Sequence, residues 1–154
     1  MYRDYMESPL GSLEIEASSE GLSQVKFVDS GDFGIINKNT YTDLSIRELH
    51  EYFNSGRRVF SVPTDVLGSD FQKSVWRELQ AIEYACSCSY SDIASALNNP
   101  KAVRAVGSAN GRNPIPIIVP CHRVIGKDGS LAGYAGGLER KRWLLRHEGI
   151  HFTE

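Results

Sequence analysis

The sequence predicts an α+β protein, with strands near its N-terminus and helices through most of the rest. Residues 12–17 alternate apolar and polar side chains with a period of two, which is typical of a half-buried strand. Apolar residues between Phe71 and Ile82 recur at spacings of three and four, which is typical of a helix. Residues 57–67 have the composition of a linker, so we expect two domains, residues 1–65 and 66–154.

The N-terminal domain is predicted to combine β-structure with one helix. Turn signals flank the first strand, and residues 25–28 begin a second strand-like run. Residues 29–41 are polar and irregular. A helix is predicted over residues 43–54, with Thr42 or Asp43 as its N-cap.

The C-terminal domain contains a predicted helix-turn-helix over residues 90–110. Ser91 is the expected N-cap of its short first helix. The turn places Asn99 as the second N-cap and Pro100 at the first helical position. The second helix is then predicted over residues 101–109.

Opposite faces of that second helix differ in character. Val103 and Val106 form an apolar face. The other face consists of Lys101, Arg104, Ala105 and Ser108. A face of small residues and cations can approach a nucleic-acid groove closely, although a plain helical hairpin also accounts for the pattern.

The remaining elements of this domain follow from local signals. Ser69 and Gln72 form a predicted capping box at the start of its first helix. Residues 115–119 are apolar and β-branched, as in a strand, and they lead to Cys121. Residues 126–137, with five glycines, are predicted to form a loop, and residues 138–147 a closing helix.

Charge is distributed unevenly along the chain. Residues 1–65 carry 6 Lys and Arg against 11 Asp and Glu, whereas residues 66–154 carry 11 against 8. No acidic residue lies between Asp92 and Asp128. The basic residues in that window are Lys101, Arg104, Arg112, Arg123 and Lys127. The window is either a surface for a polyanion or a solvated basic face.

Cys121 is the candidate nucleophile. A cysteine after an apolar stretch is often a small buried hydrophobe, but His122 and Arg123 place an imidazole and a cation beside this one. Cationic surroundings lower the pKa of a thiol, and the thiolate is the nucleophile. Glu148 is a candidate to orient His122. We expect a contact between this imidazole and the thiol to need a bridging water.

Other cysteine chemistries fit the sequence poorly. A tyrosine-phosphatase loop requires Cys-x5-Arg, but the corresponding position is Lys127. Papain-like proteases are larger and place the histidine far from the cysteine. Cys86 and Cys88 are spaced too closely for the usual zinc knuckle, and no matching pair follows them, so no metal site is predicted.

The chain as a whole fits a protein of the reducing cytoplasm. Three cysteines, an odd number, argue against a disulfide framework. No apolar run approaches the roughly 18 residues of a membrane span, and no secretory signal is recognisable at the N-terminus. We therefore expect no membrane partner.

Three stretches around Cys121 have a specific pattern: NPIPIIVPCHRV at residues 113–124, GYAGGL at 133–138 with Lys141, and LLRHEG at 144–149. They resemble the O6-alkylguanine-DNA alkyltransferases, also called methylated-DNA–protein-cysteine methyltransferases. Looser matches extend the resemblance over nearly the whole chain. They are SPLG at 8–11, EYF at 51–53, FQ at 71–72 with VW at 75–76, and SY at 89–90.

The resemblance implies a small ribonuclease-H-like α/β N-terminal domain followed by a mostly helical domain with a helix-turn-helix that binds the minor groove. It implies double-stranded DNA containing O6-alkylguanine as the partner. The damaged base is flipped out of the duplex, and its alkyl group moves irreversibly to Cys121. Each molecule then acts once, without a cofactor, and we expect a monomer.

The resemblance also implies roles for single residues. The catalytic residues would be Cys121, His122, Glu148, Asn113 and Tyr90. The DNA-binding residues would be Lys101, Ala102, Arg104, Ala105, Ser108 and Arg123. The base pocket would consist of Tyr90, Pro116, Val124, Tyr134, Ala135 and Lys141. Arg104 would enter the duplex in place of the flipped base.

Two departures from the family's pattern bear on these expectations. The turn before Tyr90 usually contains a proline and a glycine, but this chain has Glu83 and Ala85 there. Some members bind zinc in the N-terminal part; because no cysteine precedes Cys86, we predict none here.

Three rival functions remain open from the sequence alone. One is a damage-binding module that does not transfer the alkyl group, which the presence of Cys121 disfavours. The others are a transcription regulator built on the helix-turn-helix and an unrelated cysteine hydrolase.

Overall fold

The computed structural model describes residues 1–153 as an α+β chain that divides into two compact units. The first unit is Met1–Leu67, and the second begins at Gly68. No helix in the described part of the chain is both long and apolar enough to cross a membrane.

Three antiparallel strands form the sheet of the first unit. They are β1 (Tyr2–Ser8), β2 (Gly11–Ala17) and β3 (Leu22–Val28), in the order β1-β2-β3. The strands predicted from the sequence are confirmed as parts of β2 and β3. The sequence did not predict β1, because the buried Asp4 interrupts the apolar alternation that marks a strand.

Helix α1 (Thr40–Ser55) packs against this sheet. The prediction of a start near residue 43 is wrong, because Asn39 is the N-cap and its side chain accepts hydrogen bonds from the backbone of Tyr41 and Thr42. The helix ends at Gly56, whose φ of 77° is the left-handed conformation that glycine adopts readily.

The segment predicted to be a linker is held against α1 by a buried carboxylate. Glu48 is 1% exposed and accepts hydrogen bonds from the backbone amides of Ser61 and Val62. It also forms an ion pair with Arg57. A buried charge is tolerated only when it is paired and hydrogen-bonded. Residues 57–62 therefore belong to the first unit and do not form a linker between two domains.

The described part of the second unit contains four α-helices. They are α2 (Asp70–Gln80), α3 (Tyr90–Ala96), α4 (Val103–Gly111) and α5 (Leu138–His147). The predicted capping box of α2 is confirmed, since Ser69 and Gln72 exchange side-chain to backbone hydrogen bonds. The predicted bounds of α5 are confirmed as well.

The helix-turn-helix formed by α3 and α4 differs from the prediction at both helix starts. Ser89, not Ser91, caps α3, because its hydroxyl accepts from the backbone of Asp92. The second helix begins at Val103, so Pro100 lies in the turn and not at the first helical position. The turn is therefore longer than predicted, and Asn98 within it has a left-handed φ of 57°.

Residues 115–119 form a tight turn, so the prediction of a strand there is wrong. The amide of Val119 donates to the carbonyl of Ile115 at 3.0 Å, and Ile117 has a φ of 75°. A β-branched residue in that conformation is strained, and it is held there by burial, with 1% of its surface exposed. This turn leads directly into Cys121.

Candidate active site

Cys121 opens a short 3₁₀ turn, Cys121–Arg123, inside the second unit. It is 3% exposed, so the residue has almost no contact with solvent. Its amide donates to the carbonyl of Val119 at 2.8 Å, and its carbonyl accepts from the Asn110 side chain at 3.5 Å. These backbone bonds fix the position of the sulfur relative to the preceding turn.

Asn113 braces that turn from the end of α4. Its Nδ2 donates to the carbonyl of Val119 at 2.7 Å, and its Oδ1 accepts from the amide of Ile115 at 3.1 Å. Both halves of the amide therefore hold the strained segment that carries Cys121. A hydrogen bond from the same Asn113 side chain to the Cys121 thiol lowers the pKa of that thiol.

Burial nevertheless raises the pKa of the Cys121 thiol to about 11, against the opposing effects of Asn113 and the Lys141 charge. The expectation that cationic surroundings, with Arg123 beside the thiol, lower its pKa is wrong. Arg123 is paired with Glu148, and burial keeps His122 neutral. In the resting protein Cys121 is a thiol, and its proton has to be removed during the reaction.

His122 and Glu148 form a fully buried hydrogen-bonded pair. The imidazole Nε2 lies 2.6 Å from the Glu148 Oε2, and neither side chain is exposed. Burial, followed by the charges of Arg123 and Lys141, lowers the pKa of His122 against the opposing effect of Glu148. Its other nitrogen, Nδ1, is buried and has no hydrogen-bond partner among the described residues.

The ring nitrogens of His122 therefore have distinct roles. A carboxylate accepts hydrogen bonds, so Nε2 carries the proton and donates a hydrogen bond to Glu148. The neutral imidazole then has a lone pair on Nδ1. A buried acceptor without a partner is energetically costly, and it is the atom that can receive a proton from a neighbouring group.

Arg123 is buried inside the site, so the expectation that it contacts DNA is wrong. Its Nε donates to Glu148 Oε1 at 2.7 Å and its Nη2 to Oε2 at 3.2 Å. Its Nη1 donates to the carbonyl of Ile82 at 2.7 Å. Because the guanidinium makes these three hydrogen bonds and the side chain is only 6% exposed, Arg123 does not belong to a DNA-binding surface.

Lys141 connects the active-site turn to the loop at residues 126–137. Its buried Nζ donates to the carbonyls of Val124 at 2.6 Å, Ala132 at 3.1 Å and Gly133 at 3.5 Å. Burial lowers the pKa of Lys141 to about 8, and the ionised form of Cys121 opposes this shift. The lysine therefore anchors the loop, and its charge favours the ionised form of Cys121.

The predicted base-pocket residues differ in exposure. Val124 is fully buried, Pro116 and Tyr134 are half-buried, and Ala135 is exposed on the loop. The Tyr134 hydroxyl is buried without a hydrogen-bond partner among the described residues. Burial and the nearby Cys121 raise its pKa, so Tyr134 stays a neutral donor next to the sulfur.

Tyr90 and Asn110 form a polar pair, of which the sequence analysis predicted only Tyr90. Burial raises the pKa of the half-buried Tyr90, and the Asn110 side chain opposes that shift. Asn110 is 3% exposed and also donates to the carbonyl of Cys121. Sequence reasoning missed Asn110, although its place on the buried stripe of α4, four residues after Val106, was the available signal.

The outer face of α4 has the character predicted for a groove-binding helix. Arg104, Ala105 and Ser108 are exposed, whereas Val106 is fully buried. Lys101 is also exposed, but it precedes the helix, as does the half-buried Ala102. The face of α4 therefore presents one cation, Arg104, and small side chains, with the Lys101 cation just before the helix.

Comparison with known proteins identifies the class to which this fold and site belong. Residues 1–66 match the ribonuclease-like domain of 6-O-methylguanine DNA methyltransferase, and residues 70–150 match its DNA-binding domain. The chain belongs to the 6-O-methylguanine DNA methyltransferase family. The fold predicted from resemblance to this family is thereby confirmed.

Individual relatives cover nearly the whole chain. The methylated-DNA–protein-cysteine methyltransferase of Methanosarcina acetivorans is 44% identical, over 97% of this chain and 99% of its own. The constitutive enzyme of Bacillus subtilis is 43% identical, over 99% and 98%. The crystal structure of Mycobacterium tuberculosis OGT in complex with DNA is 39% identical, with a TM-score of 0.87 over 96% of this chain and 92% of that one.

Proposed function

We infer that this protein repairs DNA by direct reversal, transferring the alkyl group from O6 of guanine to its own Cys121. The transfer is irreversible, so each molecule acts once. The family and the relatives named methylated-DNA–protein-cysteine methyltransferase support the reaction. Cys121 is proposed as the acceptor because it is buried next to the His122–Glu148 pair, in the unit that matches the DNA-binding domain.

The thiol loses its proton as part of the reaction. Because burial raises its pKa to about 11, Cys121 is almost entirely protonated at neutral pH. His122 Nδ1 is the acceptor for that proton, directly or through one water, and Glu148 stabilises the resulting imidazolium. Lys141 stabilises the thiolate by its charge.

The thiolate sulfur then attacks the carbon bonded to O6. An S–C bond forms, the C–O6 bond breaks, and its electron pair remains on the guanine. Protons balance because the thiol gives one to His122 and the released guanine takes up one at N1. The neutral hydroxyls of Tyr90 and Tyr134 are donors placed to stabilise the charge that develops on the departing base.

Duplex DNA containing O6-alkylguanine is the proposed substrate, bound through the outer face of α4 in the minor groove. Extruding a base costs a few kcal/mol, and a side chain that replaces it in the stack lowers this cost. The exposed Arg104 has the position for that role, with Ala105 and Ser108 allowing close approach. Lys101 and Ala102, just before the helix, are assigned to the same DNA surface.

The other assignments follow from the same inference. Pro116, Val124, Tyr134 and Ala135 line the base pocket, and Asn113 holds the turn beneath it. The transfer reaction belongs to residues 66–154, with residues 1–65 as the ribonuclease-H-like domain. The protein acts as a monomer in a reducing cytoplasm, where its three free cysteines remain thiols.

Methyl transfer by two cysteine variants tests this function. The substrate is a duplex with one labelled O6-methylguanine, mixed with wild-type protein, Cys121→Ser, or the control Cys86→Ser, which changes an exposed thiol. Wild type and the control should take up the label, whereas Cys121→Ser should bind the duplex without taking it up. Label on Cys121→Ser would overturn the assignment, and binding without transfer by wild type would identify a damage-sensing module.

A further inference from the structure

Arg123 is a buried cation whose three hydrogen bonds join separate parts of the second unit. The guanidinium contacts the Glu148 carboxylate after α5 and the Ile82 carbonyl after α2, while its own backbone lies in the 3₁₀ turn of Cys121. We propose that Arg123 is a positioning residue for alkyl transfer, fixing Glu148 so that His122 keeps its proton on Nε2 and presents Nδ1 as the base. The proposal rests on the proposed function and names a component of its proton relay.

The acceptor capacity of Glu148 is filled in a way that fixes its charge. An ionised carboxylate has about four lone-pair positions and no proton to donate. Glu148 accepts from His122 Nε2 at 2.6 Å, from Arg123 at 2.7 and 3.2 Å, and from the amide of Ala85 at 3.4 Å. A protonated Glu148 would lose at least one of these bonds, so the network holds the carboxylate ionised and in one orientation.

This arrangement depends on the planar geometry of the guanidinium group of arginine. Two parallel N–H groups of Arg123 reach the two oxygens of Glu148, and the third direction of the guanidinium is occupied by Ile82. The ring of Tyr84 supports the guanidinium, with 5.7 Å between the Arg123 Cζ and the ring centroid. A lysine at this position would supply the charge but not the two directed bonds.

The charge of Arg123 also acts on His122 directly. The charged groups that affect the imidazole are Glu148 and Lys141 from α5 and its terminus, and Arg123 from its own turn. The buried residues of α2, which packs against the same turn, are Val75, Trp76 and Leu79, and none of them titrates. Burial is the largest cause of the lowered pKa of His122, and Arg123 adds to it. Without Arg123 the imidazole would hold a second proton at higher pH, which would occupy Nδ1.

Two substitutions separate the charge of Arg123 from its geometry. Arg123→Gln removes both, whereas Arg123→Lys keeps the charge and removes the planar guanidinium geometry. Arg77→Gln is the control, because it removes a positive charge from the exposed face of α2. Each variant is mixed with an O6-methylguanine duplex in single-turnover transfer from about pH 5.5 to about pH 9, with duplex affinity measured separately. The ¹⁵N signals of the imidazoles report which nitrogen of His122 carries the proton.

Arg123→Gln should shift the acidic limb of the rate profile upward by about one pH unit or more, because His122 then stays protonated longer. Arg123→Lys should leave that limb near the wild-type position but lower the plateau rate by about ten-fold. Duplex affinity and the Arg77→Gln profile should match wild type.

A merely structural Arg123 would alter stability without moving these readouts. Rate profiles of both variants that coincide with wild type, together with an unchanged His122 tautomer, would overturn the proposal. If Arg123→Gln does not fold, the Arg123→Lys plateau decides: a wild-type rate overturns the proposal and a slowed rate supports it. Failure of the proposed function is distinct, because wild-type protein would then transfer no methyl group.

Discussion

Glu148 binds the Nε2 of His122 at 2.6 Å, and both side chains are completely buried in the second unit. The residues are 26 positions apart in the chain, so the contact depends on α5 returning to the 3₁₀ turn that carries Cys121. The buried pair orients the imidazole and leaves Nδ1 as the proton acceptor. The reactivity of Cys121 is thus tied to the packing of the last helix.

Replacing Glu148 by glutamine should damage both stability and transfer. The amide leaves Arg123 as an uncompensated buried charge, which costs about 3–5 kcal/mol of unfolding free energy. Transfer should slow by about 100-fold or more, because His122 loses its orienting partner. Denaturant unfolding and single-turnover transfer measure the two effects. Glu139→Gln, an exposed change in the first turn of α5, is the control, and equal rates in the two variants would contradict the relay.

Removing the Arg104 side chain should weaken repair in duplexes while sparing single strands. Arg104→Ala leaves the flipped base without a replacement in the stack, so the extruded state is less populated. Transfer from an O6-methylguanine duplex should slow by about ten-fold or more, and transfer from the same oligonucleotide as a single strand should not change. Arg77→Ala, exposed on α2, serves as the control. Equal slowing on both substrates would argue that Arg104 only contacts phosphates.

Ala85→Gly should stabilise the protein. Ala85 has a φ of 66°, a conformation that costs a non-glycine residue roughly 1–2 kcal/mol. Glycine removes this strain but is more flexible in the unfolded chain, so the net gain should be about 0.5–1 kcal/mol. Ala81→Gly is the matched control, because Ala81 has an ordinary φ of −77° and should lose stability. Denaturant unfolding measures both changes, and a destabilised Ala85→Gly would show that the turn does not need the left-handed conformation.

Iodoacetamide should modify Cys86 before Cys121 in the absence of DNA. Cys86 is exposed, whereas Cys121 is 3% exposed with a pKa raised by burial to about 11. Since only the thiolate reacts, labelling of Cys121 should increase with pH up to about that value. Peptide mapping after timed labelling gives the order, and Cys86→Ser should lose the fast site. Cys121 as the fast site near neutral pH would contradict a buried, protonated thiol.

Local sequence signals predicted the elements whose determinants are local. The capping box of Ser69 and Gln72 and the periodicity of residues 138–147 lie within single helices, and both predictions are confirmed. Strand β1 was not predicted because the buried position 4 holds an aspartate. A half-buried strand is recognised by apolar residues at its buried positions.

The sequence predicted the members of the site and the pairing of His122 with Glu148, but not the other contacts. The motif around Cys121 and the resemblance to the family indicated Cys121, His122 and Glu148. Arg123 was assigned to DNA because an isolated sequence shows its charge but not its burial against a carboxylate 25 residues away. The same limit explains the strand predicted at residues 115–119, where burial and the Asn113 side chain hold apolar residues in a strained turn.

Intact-protein mass after mixing with an O6-methylguanine duplex shows whether Cys121 accepts the alkyl group. Transfer to Cys121 predicts a gain of one methyl group per molecule, which saturates at one equivalent and maps to the peptide containing Cys121. Excess damaged duplex should add nothing further, because the thioether is no longer a nucleophile. An unchanged mass despite binding to the damaged duplex, or a methyl group located on Cys86 or Cys88, would contradict it.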